Sequence, residues 1–211
     1  MSQREEGTAV PVTQLGIYGG TFSPPHNGHL HAAEAFLSQG GIDRLLVIPT
    51  YVTPLKARAE QTSPADRLAM CRLAFADNPA VTVSDMEIAR EGKSYTSETL
   101  SSLASPFVRL SFLCGTDMLL TMGDWHDPAT IFRLARIVCM RRENEEEKRL
   151  LLENKAEEYR KKFGATVDFL PEAPLEMSSS EIRARIARGK SVAAHLPASV
   201  AAYIKERGLY L

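Results

Sequence analysis

The sequence predicts an α/β fold in which a doubly wound parallel sheet carries helices on both faces. Short apolar segments typical of strands alternate along the chain with longer segments typical of helices. Residues 45–48 form a continuous apolar run that Pro49 closes, which is the pattern of a strand buried on both faces. The chain has 211 residues, of which 44% are hydrophobic and 24% are charged, so it can bury a core without disulfides.

The first half of the chain is predicted to run strand, helix, strand, helix. A strand over residues 14–18 leads into two glycines, and a helix over residues 29–38 has apolar residues on one face and stops at two more glycines. The apolar run at 45–48 follows as the second strand. Residues 64–76 are predicted as a helix because Ser63 suits the N-cap and a proline occupies the first helical position.

The second half is predicted to continue this alternation without an internal repeat. Strands are expected at residues 81–88, 108–114, 137–140 and 167–170. Helices are expected at residues 96–103, 145–163, 179–188 and 198–207. In parallel sheets of this kind ligands bind beyond the carboxyl ends of the strands, so the loops that follow the strands are where chemistry is expected.

Charge and composition exclude several classes of protein. The 25 Lys and Arg residues balance 26 Asp and Glu residues, which excludes a broadly basic nucleic-acid binder. The apolar runs are far too short to cross a bilayer, the polar residues 1–7 do not resemble a signal peptide, and three widely spaced cysteines are typical of reduced thiols. We therefore expect a cytoplasmic protein without nucleic-acid or membrane partners, with a homo-oligomer left open. It should consist of a flexible tail over residues 1–12 and a single domain over residues 13–211.

The segment between the first strand and the first helix, residues 19–29, carries the strongest chemical signal. Gly19 and Gly20 are expected to turn the backbone sharply and let it approach a ligand closely. His26 precedes the helix and His29 falls in its first turn, where free N–H groups and positive potential favour phosphate. Neither a Walker GKS/T sequence nor a GxGxxG spacing is present. Two imidazoles beside exposed amides therefore predict a polyphosphate site that stabilises charge on a transferred or leaving phosphoryl group.

Two other interpretations of this segment stay open. His26, His29 and His31 are close enough in sequence to bind a metal ion, although no fourth ligand and no HExxH or CxxC frame accompanies them. The segment is also compatible with a Gly/Pro turn that holds incidental histidines. Of the three histidines, His31 is expected to point elsewhere and to be incidental.

A second pattern suited to phosphate lies late in the chain, at residues 177–183. Its serines suit a helix N-terminus, and Glu181 can complete a capping box with Ser178. Arg183 falls in the first turns of that helix, where a guanidinium can clamp phosphate oxygens. On its own the pattern is also that of an ordinary N-cap, so its meaning comes from its combination with the first loop.

These two segments resemble known motifs. GGTFSPPHNGH in the first loop resembles the signature of the HxGH nucleotidyltransferase superfamily, and MSSSEIR resembles its late ISSTxIR motif. Three further segments are similar to those of bacterial nicotinate-nucleotide adenylyltransferases: SYTSETL at 94–100, FLCGTDML at 112–119 followed by Trp125, and YIKERGLY at 203–210. The resemblance extends over nearly the whole chain, from Gly16 to Tyr210.

The resemblance implies a Rossmann-like enzyme of NAD biosynthesis in the cytoplasm. It would join ATP and nicotinate mononucleotide, giving nicotinate adenine dinucleotide and pyrophosphate, with Mg²⁺ required. The mononucleotide phosphate would attack the α-phosphorus of ATP in line, without a covalent intermediate. Because the attacking phosphate is already anionic, catalysis would rest on positioning and electrostatic stabilisation, with no strong protein base.

The resemblance also assigns roles to individual residues. The catalytic pair is His26 and His29, which contact the ATP phosphates. The other ATP and phosphate contacts fall on Gly19, Gly20, Thr21, Phe22, Lys56, Gly115, Asp117, Ser179 and Arg183. The nicotinate mononucleotide contacts fall on Tyr95, Thr96 and Trp125, with the indole stacked on the pyridine ring. No residue is assigned as a protein ligand to a metal ion.

Two residues depart from the family pattern. Ser23 stands where the family usually has Asp, and Leu55, before Lys56, stands where it usually has His. Neither belongs to the HxGH pair, so activity is expected to survive. The alternatives to the implied function are a sister adenylyltransferase that uses nicotinamide mononucleotide or phosphopantetheine, and a non-catalytic nucleotide-binding regulator.

Overall fold

Six parallel strands form one sheet in the computed structural model, which describes residues 12–53, 62–141 and 146–211. The strands are β1 (Thr13–Gly20), β2 (Arg44–Pro49), β3 (Val81–Val83), β4 (Val108–Gly115), β5 (Ala135–Met140) and β6 (Val167–Leu170). The helices in these ranges are α1 (Asn27–Gln39), α2 (Pro64–Ala74), α3 (Met86–Arg90), α4 (Thr96–Leu103), α5 (Thr116–Thr121), α6 (Pro128–Leu134), α7 (Glu146–Phe163), α8 (Ser179–Ala187) and α9 (Ala198–Arg207). A short 3-10 turn covers Met122–Asp124. The predicted fold class is confirmed.

The strands lie in the order β3-β2-β1-β4-β5-β6, so the sheet is wound outward in both directions from β1 and β4. Ile17 of β1 lies opposite Leu46 on one side and opposite Phe112 of β4 on the other. Because the chain leaves these two central strands in opposite directions, a crevice opens beyond their carboxyl ends, where sheets of this topology bind ligands. This geometry places the expected site at Gly20 and Gly115, the last residues of β1 and β4.

Apolar side chains from alternate strand positions cover both faces of the sheet, as the period of a strand requires. On one face, Phe112 and Ile137 belong to a buried cluster that includes residues of α4, α5, α6 and α7. On the other face, Leu113 and Val138 belong to a cluster that includes residues of α1 and α2. The strands on either side of the crevice are therefore held by packing on both faces.

The predicted strand over residues 81–88 is wrong in its second half. β3 ends at Val83, and after Ser84 donates its backbone N–H to the Val47 carbonyl at 2.9 Å the chain turns into α3. In an alternating strand Glu87 would face solvent, but its side chain is buried and accepts a hydrogen bond from the Thr99 hydroxyl at 2.6 Å. The alternating pattern of residue types predicted an exposed carboxyl group at Glu87, whereas the structure buries this group and gives it a hydrogen bond.

The sequence prediction also lacks α5 and α6, which lie between β4 and β5. Each has fewer than eight residues, too few for a helical period to stand out. α6 nevertheless carries a start signal, because the Asp127 side chain accepts a hydrogen bond from the Thr130 backbone N–H at 3.2 Å and Pro128 is its first residue. The signal was present, but periodicity alone did not reveal it.

The two C-terminal helices pack on α2. Met70 of α2 forms a buried cluster with Ile182 of α8 and with Val200 and Ile204 of α9. This packing attaches the second phosphate motif to the helix that follows β2. None of the helices in the described ranges is both long enough and apolar enough to cross a membrane. All three cysteines are free and buried, and burial raises the pKa of the Cys71 thiol.

Candidate active site

Two adjacent cavities open at the carboxyl edge of the sheet. The first, of about 700 Å³, is bordered by the loop after β1, the start of α1, the junction of β4 with α5, and the start of α8. The second, of about 470 Å³, is bordered by the loops after β2 and β3, the start of α4, and residues 124–126. Both cavities share Gly19, Gly20, Thr21 and Met118 as lining. The loops in which chemistry was expected therefore enclose two connected chambers.

The first loop turns at Phe22 and not at the glycines. Gly19 and Gly20 are the last two residues of β1, whereas Phe22 takes a left-handed backbone conformation with φ of 49°. The expectation that Gly19 and Gly20 make the sharp turn is therefore wrong. Gly20 has a packing role instead, because a Cβ on it would lie 3.0 Å from the Phe22 ring, which is buried. A side chain there would displace Phe22, whose ring lies 5.0 Å from that of His29.

The two predicted histidines, His26 and His29, lie next to each other in the lining of the first cavity. The rings of His26 and His29 have their centroids 3.7 Å apart, with an interplanar angle of 30°. The His26 backbone N–H donates to Nδ1 of His29 at 3.1 Å. A nitrogen that accepts from an N–H carries no proton, so the proton of neutral His29 is on Nε2, on the opposite edge of the ring. His29 thus has its N–H donor at Nε2.

The glycine between the two histidines is required by space. A Cβ on Gly28 would lie 3.1 Å from two atoms of the His26 imidazole and 3.3 Å from the carbonyl oxygen of Leu175. Gly28 sits in the first turn of α1, where glycine is otherwise unfavourable by about 0.5–1 kcal/mol relative to alanine. The glycine therefore lets the His26 ring and the loop before α8 approach the helix closely.

The start of α8 is tied directly to the first loop. Ser178 caps the helix as predicted, accepting from the Glu181 backbone N–H at 3.3 Å, which is one half of the predicted capping box. The Ser179 hydroxyl donates to the Pro24 carbonyl at 3.0 Å, and Nη1 of Arg183 donates to the Ser23 carbonyl at 2.9 Å. These bonds turn the N-termini of α1 and α8 toward one cavity, so two positive helix ends and a guanidinium meet there.

Gly115 and Asp117 line the same cavity, at the end of β4 and the start of α5. A Cβ on Gly115 would meet no atom within 4 Å, and its φ of −94° is open to any residue. Neither crowding by protein atoms nor a left-handed backbone conformation therefore requires a glycine here. The open space is instead suited to a ligand that approaches the backbone closely.

The second cavity brings together the three predicted mononucleotide contacts. Tyr95 and Thr96 stand at the N-terminus of α4, and Trp125 follows the 3-10 turn after α5. The Trp125 indole packs edge-on against Phe112 with centroids 6.3 Å apart, and its Nε1 donates to the Thr121 hydroxyl at 3.3 Å. A flat aromatic surface and a helix N-terminus thus border one chamber.

Two residues of this second cavity escaped the sequence prediction. The imidazole of His126 stacks on Tyr95 with ring centroids 4.2 Å apart, and its position directly after Trp125 was the available signal. Glu87 lies deeper, and burial raises the pKa of its carboxyl group, opposed in part by the hydrogen bond from Thr99. The sequence prediction placed Glu87 in a strand, with its side chain toward solvent, and so missed its place in this cavity.

Arg67 also escaped prediction, although it connects the loops around both cavities. Arg67 belongs to α2, and its side chain is completely buried. This burial lowers the pKa of the guanidinium. The guanidinium donates to the carbonyls of Thr21 at 2.9 Å, Tyr51 at 3.0 Å and Thr62 at 3.1 Å. One side chain therefore holds the first loop and the loop after β2 in a fixed relation. No local pattern marks such a role, since all of its acceptors are main-chain atoms.

The two departures from the family pattern fall in different places. Ser23 is buried, and its hydroxyl lies 3.2 Å from the phenol oxygen of Tyr210, whose pKa burial raises. The C-terminal tail thus contacts the first loop through this serine. Leu55, together with the predicted phosphate contact Lys56, lies outside the described residues.

The geometry does not support the metal interpretation of the three histidines. Nε2 of His31 lies 2.8 Å from the Ala173 carbonyl oxygen, so this ring contacts the loop after β6 and not the His26–His29 pair. Within residues 12–53, 62–141 and 146–211, no group of three or more His, Cys, Asp or Glu side chains is placed to hold a metal ion. His31 does point away from the pair, as expected, but its contact is specific.

The fold matches solved structures over nearly the whole chain. The Plasmodium falciparum nicotinic acid mononucleotide adenylyltransferase complexed with NaAD aligns with a TM-score of 0.73, covering 94% of this chain and 97% of that one. The same enzyme complexed with APC aligns with a TM-score of 0.72. Both are 17% identical in sequence, so this likeness shows the fold alone.

Sequence comparison identifies the family. Residues 17–185 match the cytidylyltransferase-like family. A protein of Roseiflexus sp. (strain RS-1) is 40% identical over 200 residues, covering 93% of this chain and 97% of its own. A protein of Trichlorobacter lovleyi is 37% identical over 210 residues, covering 93% and 99%. Both carry the name "probable nicotinate-nucleotide adenylyltransferase". The chain belongs to the cytidylyltransferase-like family and, within it, to the nicotinate-nucleotide adenylyltransferases, which are nucleotidyltransferases.

Proposed function

We propose that the chain transfers the adenylyl group of ATP to the phosphate of nicotinate mononucleotide and releases pyrophosphate, a step of NAD biosynthesis. The observation that carries this proposal is the meeting of two unlike cavities at Gly19, Gly20 and Thr21. One has the donors suited to a triphosphate, and the other has the aromatic surface suited to a flat heterocycle. A phosphate held in one chamber can therefore attack a phosphorus atom held in the other.

The first cavity is proposed to hold the ATP phosphates. A mononucleotide phosphate oxygen forms a bond to the α-phosphorus, while the bond from that phosphorus to the bridging oxygen of the leaving pyrophosphate breaks. Nε2–H of His29, the Arg183 guanidinium and the main-chain N–H groups at the start of α8, which the Ser179 hydroxyl anchors, are the donors for the charge that moves onto the leaving group. Because their bonds to the first loop fix them before ATP binds, they stabilise that charge with little reorganisation. His26 supports His29 through its backbone N–H and its stacked ring.

The other residues that the resemblance assigns to this cavity have several roles in the proposal. Gly20 and Phe22 shape the first loop, and Gly19 and Thr21 border the point where the chambers meet. Gly115 is proposed to let the nucleotide approach the end of β4. Lys56 stays a predicted phosphate contact.

The second cavity is proposed to hold the nicotinate mononucleotide. Trp125 provides a face for the pyridine ring, and the main-chain N–H groups at the start of α4, near Tyr95 and Thr96, suit its carboxylate. No lysine or arginine is among the described residues that line this chamber. The proposal assigns recognition of the acid to the helix N-terminus and to His126.

Magnesium is proposed to enter with ATP, bound to its phosphates. Asp117 is the one carboxylate among the described residues along the first cavity. This fits Mg²⁺, which keeps several waters and usually takes only one or two protein carboxylates beside substrate phosphates. When bound, the ion neutralises part of the triphosphate charge. A cytoplasmic location and assembly into a homo-oligomer stay predictions.

Pyrophosphate release tests the proposal. We would supply ATP and Mg²⁺ with nicotinate mononucleotide, nicotinamide mononucleotide or phosphopantetheine in parallel reactions. The expected result is fast release with the first acceptor alone. Faster release with another acceptor would identify a sister adenylyltransferase. ATP binding without release from any acceptor would favour a nucleotide-binding regulator.

A further inference from the structure

We propose that His31 is a positioning residue for the adenine nucleotide. It holds the loop of residues 171–178, here called the wall loop, against α1 and so sets the shape of the first cavity. The proposal rests on the proposed function, because it takes the ligand of that cavity to be ATP. It assigns a role to the one histidine of the first helix that the mechanism does not use.

The wall loop joins β6 to α8 and forms one side of the first cavity. Pro174, Leu175 and Met177 are among the residues that line the cavity. Leu175 is 46% exposed, although large apolar side chains are ordinarily buried. An exposed leucine at the rim of a cavity is a surface that a ligand can cover. Since Arg183 and the histidines supply the polar end of the cavity, the apolar wall suits the adenine base.

Two side chains of α1 hold the start of this loop. Nε2 of His31 lies 2.8 Å from the Ala173 carbonyl oxygen, and a carbonyl only accepts, so this nitrogen carries a proton. The same nitrogen lies 3.6 Å from a carboxylate oxygen of Glu172. Nε2 of Gln39 donates to the other carboxylate oxygen of Glu172 at 3.2 Å. The loop is thus fixed to the helix at two points near its beginning.

The clearance beneath the loop is small. The Leu175 carbonyl oxygen lies only 3.3 Å from the position that a Cβ on Gly28 would take. Gly28 is one helical turn before His31, so the anchor lies next to the point of closest approach. A loop released from His31 would therefore change the side of the first cavity that Pro174, Leu175 and Met177 line. His31 itself is absent from the lining of the described cavity, so it acts through the loop.

The test is the affinity for ATP with Mg²⁺, measured by calorimetry in the absence of any acceptor. His31→Leu should bind ATP about three- to tenfold more weakly, as expected for the loss of one hydrogen bond to a carbonyl. His31→Gln keeps an N–H donor and should restore most of the affinity. Glu34→Gln, an exposed substitution on the same helix, is the matched control and should bind ATP like the unchanged protein.

Steady-state constants separate positioning from a general loss of structure. The KM for ATP should rise in His31→Leu, while kcat and the KM for the acceptor stay within about twofold. Unchanged ATP affinity in His31→Leu would overturn the proposal, as would an equal weakening of both substrates. Because ATP binding is measured without acceptor, a failure of the proposed acceptor would leave this result standing.

Discussion

The His26 backbone N–H and Nδ1 of His29 form a 3.1 Å hydrogen bond that leaves Nε2 as the protonated nitrogen of neutral His29. The bond uses the only lone pair of Nδ1, so the ring proton must be on Nε2. The backbone N–H of His26 therefore determines which nitrogen of His29 is the donor. The spacing of the two histidines along the chain thus has a direct chemical consequence. It places one residue at the N-cap of α1 and the other three positions later, within reach of the cap backbone.

His29→Ala should lower kcat by roughly 10² to 10³, as for the loss of one preorganised donor. The measurement is pyrophosphate release at saturating ATP and nicotinate mononucleotide. His29→Asn is the matched variant, because its shorter side chain keeps an acceptor for the His26 N–H but does not present the donor at the same distance. We expect it to melt like the unchanged protein and to be nearly as slow as His29→Ala. An unchanged kcat in His29→Ala would contradict the assigned role.

Gly28→Ala should separate stability from activity. Alanine favours a helix by about 0.5–1 kcal/mol over glycine, but its methyl group would lie 3.1 Å from the His26 imidazole. The melting temperature should therefore change little, while kcat falls about tenfold because the His26 ring must move. Thermal unfolding and pyrophosphate release on the same preparation check both parts. Full activity in this variant would show that the ring position does not matter.

Gly115→Ala tests whether the nucleotide approaches the end of β4. The added methyl group would meet no protein atom within 4 Å, so the expected cost is the loss of a good helix N-cap, below about 1 kcal/mol. ATP affinity should nevertheless fall several-fold, because the methyl group occupies the open cavity. Calorimetry with ATP gives the affinity, and urea unfolding gives the stability. Unchanged affinity would exclude close contact of ATP with Gly115.

Arg67→Met should destabilise the protein by about 2–4 kcal/mol, since it leaves three partly buried carbonyl groups without their donor. Arg72→Met is the control on the same helix. Arg72 makes an exposed ion pair with Asp85 at 3.5 Å, and its loss should cost less than about 1 kcal/mol. Urea unfolding compares the two variants. Equal losses would mean that the three hydrogen bonds of Arg67 contribute no more than a surface ion pair.

Glu87→Gln should change the pH dependence of stability. Burial raises the pKa of Glu87 in the folded state above its ordinary value of 4.5, so the folded protein holds this proton more tightly than the unfolded chain does. The stability that this proton contributes is present below pH 4.5 and is lost as pH rises through the folded pKa. Glutamine has no proton to lose, so its advantage in unfolding free energy should grow as pH rises above 4.5.

Urea unfolding across that range measures this advantage. Glu98→Gln, at a half-exposed position paired with Arg90 at 3.7 Å, is the control and should show a smaller change. An advantage of Glu87→Gln that shrinks with rising pH would contradict the prediction.

The parts of the site that the sequence predicted are those marked by residue type and spacing. His26, His29, Ser179 and Arg183 belong to two helix starts, and a helix start has recognisable caps. Tyr95, Thr96 and Trp125 came from resemblance, and the structure brings all three to one cavity. Strand positions followed from apolar runs, except after Val83, where the chain turns into α3 and Glu87 faces inward.

Two side-chain contacts that escaped prediction reach main-chain atoms far away in sequence. Arg67 reaches the carbonyl of Thr21 across 46 positions, and His31 reaches that of Ala173 across 142. A carbonyl acceptor is available on every residue, so nothing in the identity of the partner marks such a contact. These side chains could be found only after the loops were placed in space.

The bonds from Ser179 to Pro24 and from Arg183 to Ser23 span 155 and 160 positions. A ribosome makes the first loop early and the arginine late, so a growing chain carries the histidines long before it has their supporting helix. Until α8 emerges and docks, the loop lacks these two restraints on its backbone. Turnover should therefore begin only after nearly the whole polypeptide has been synthesised, and fragments that end before residue 179 should be unable to consume ATP.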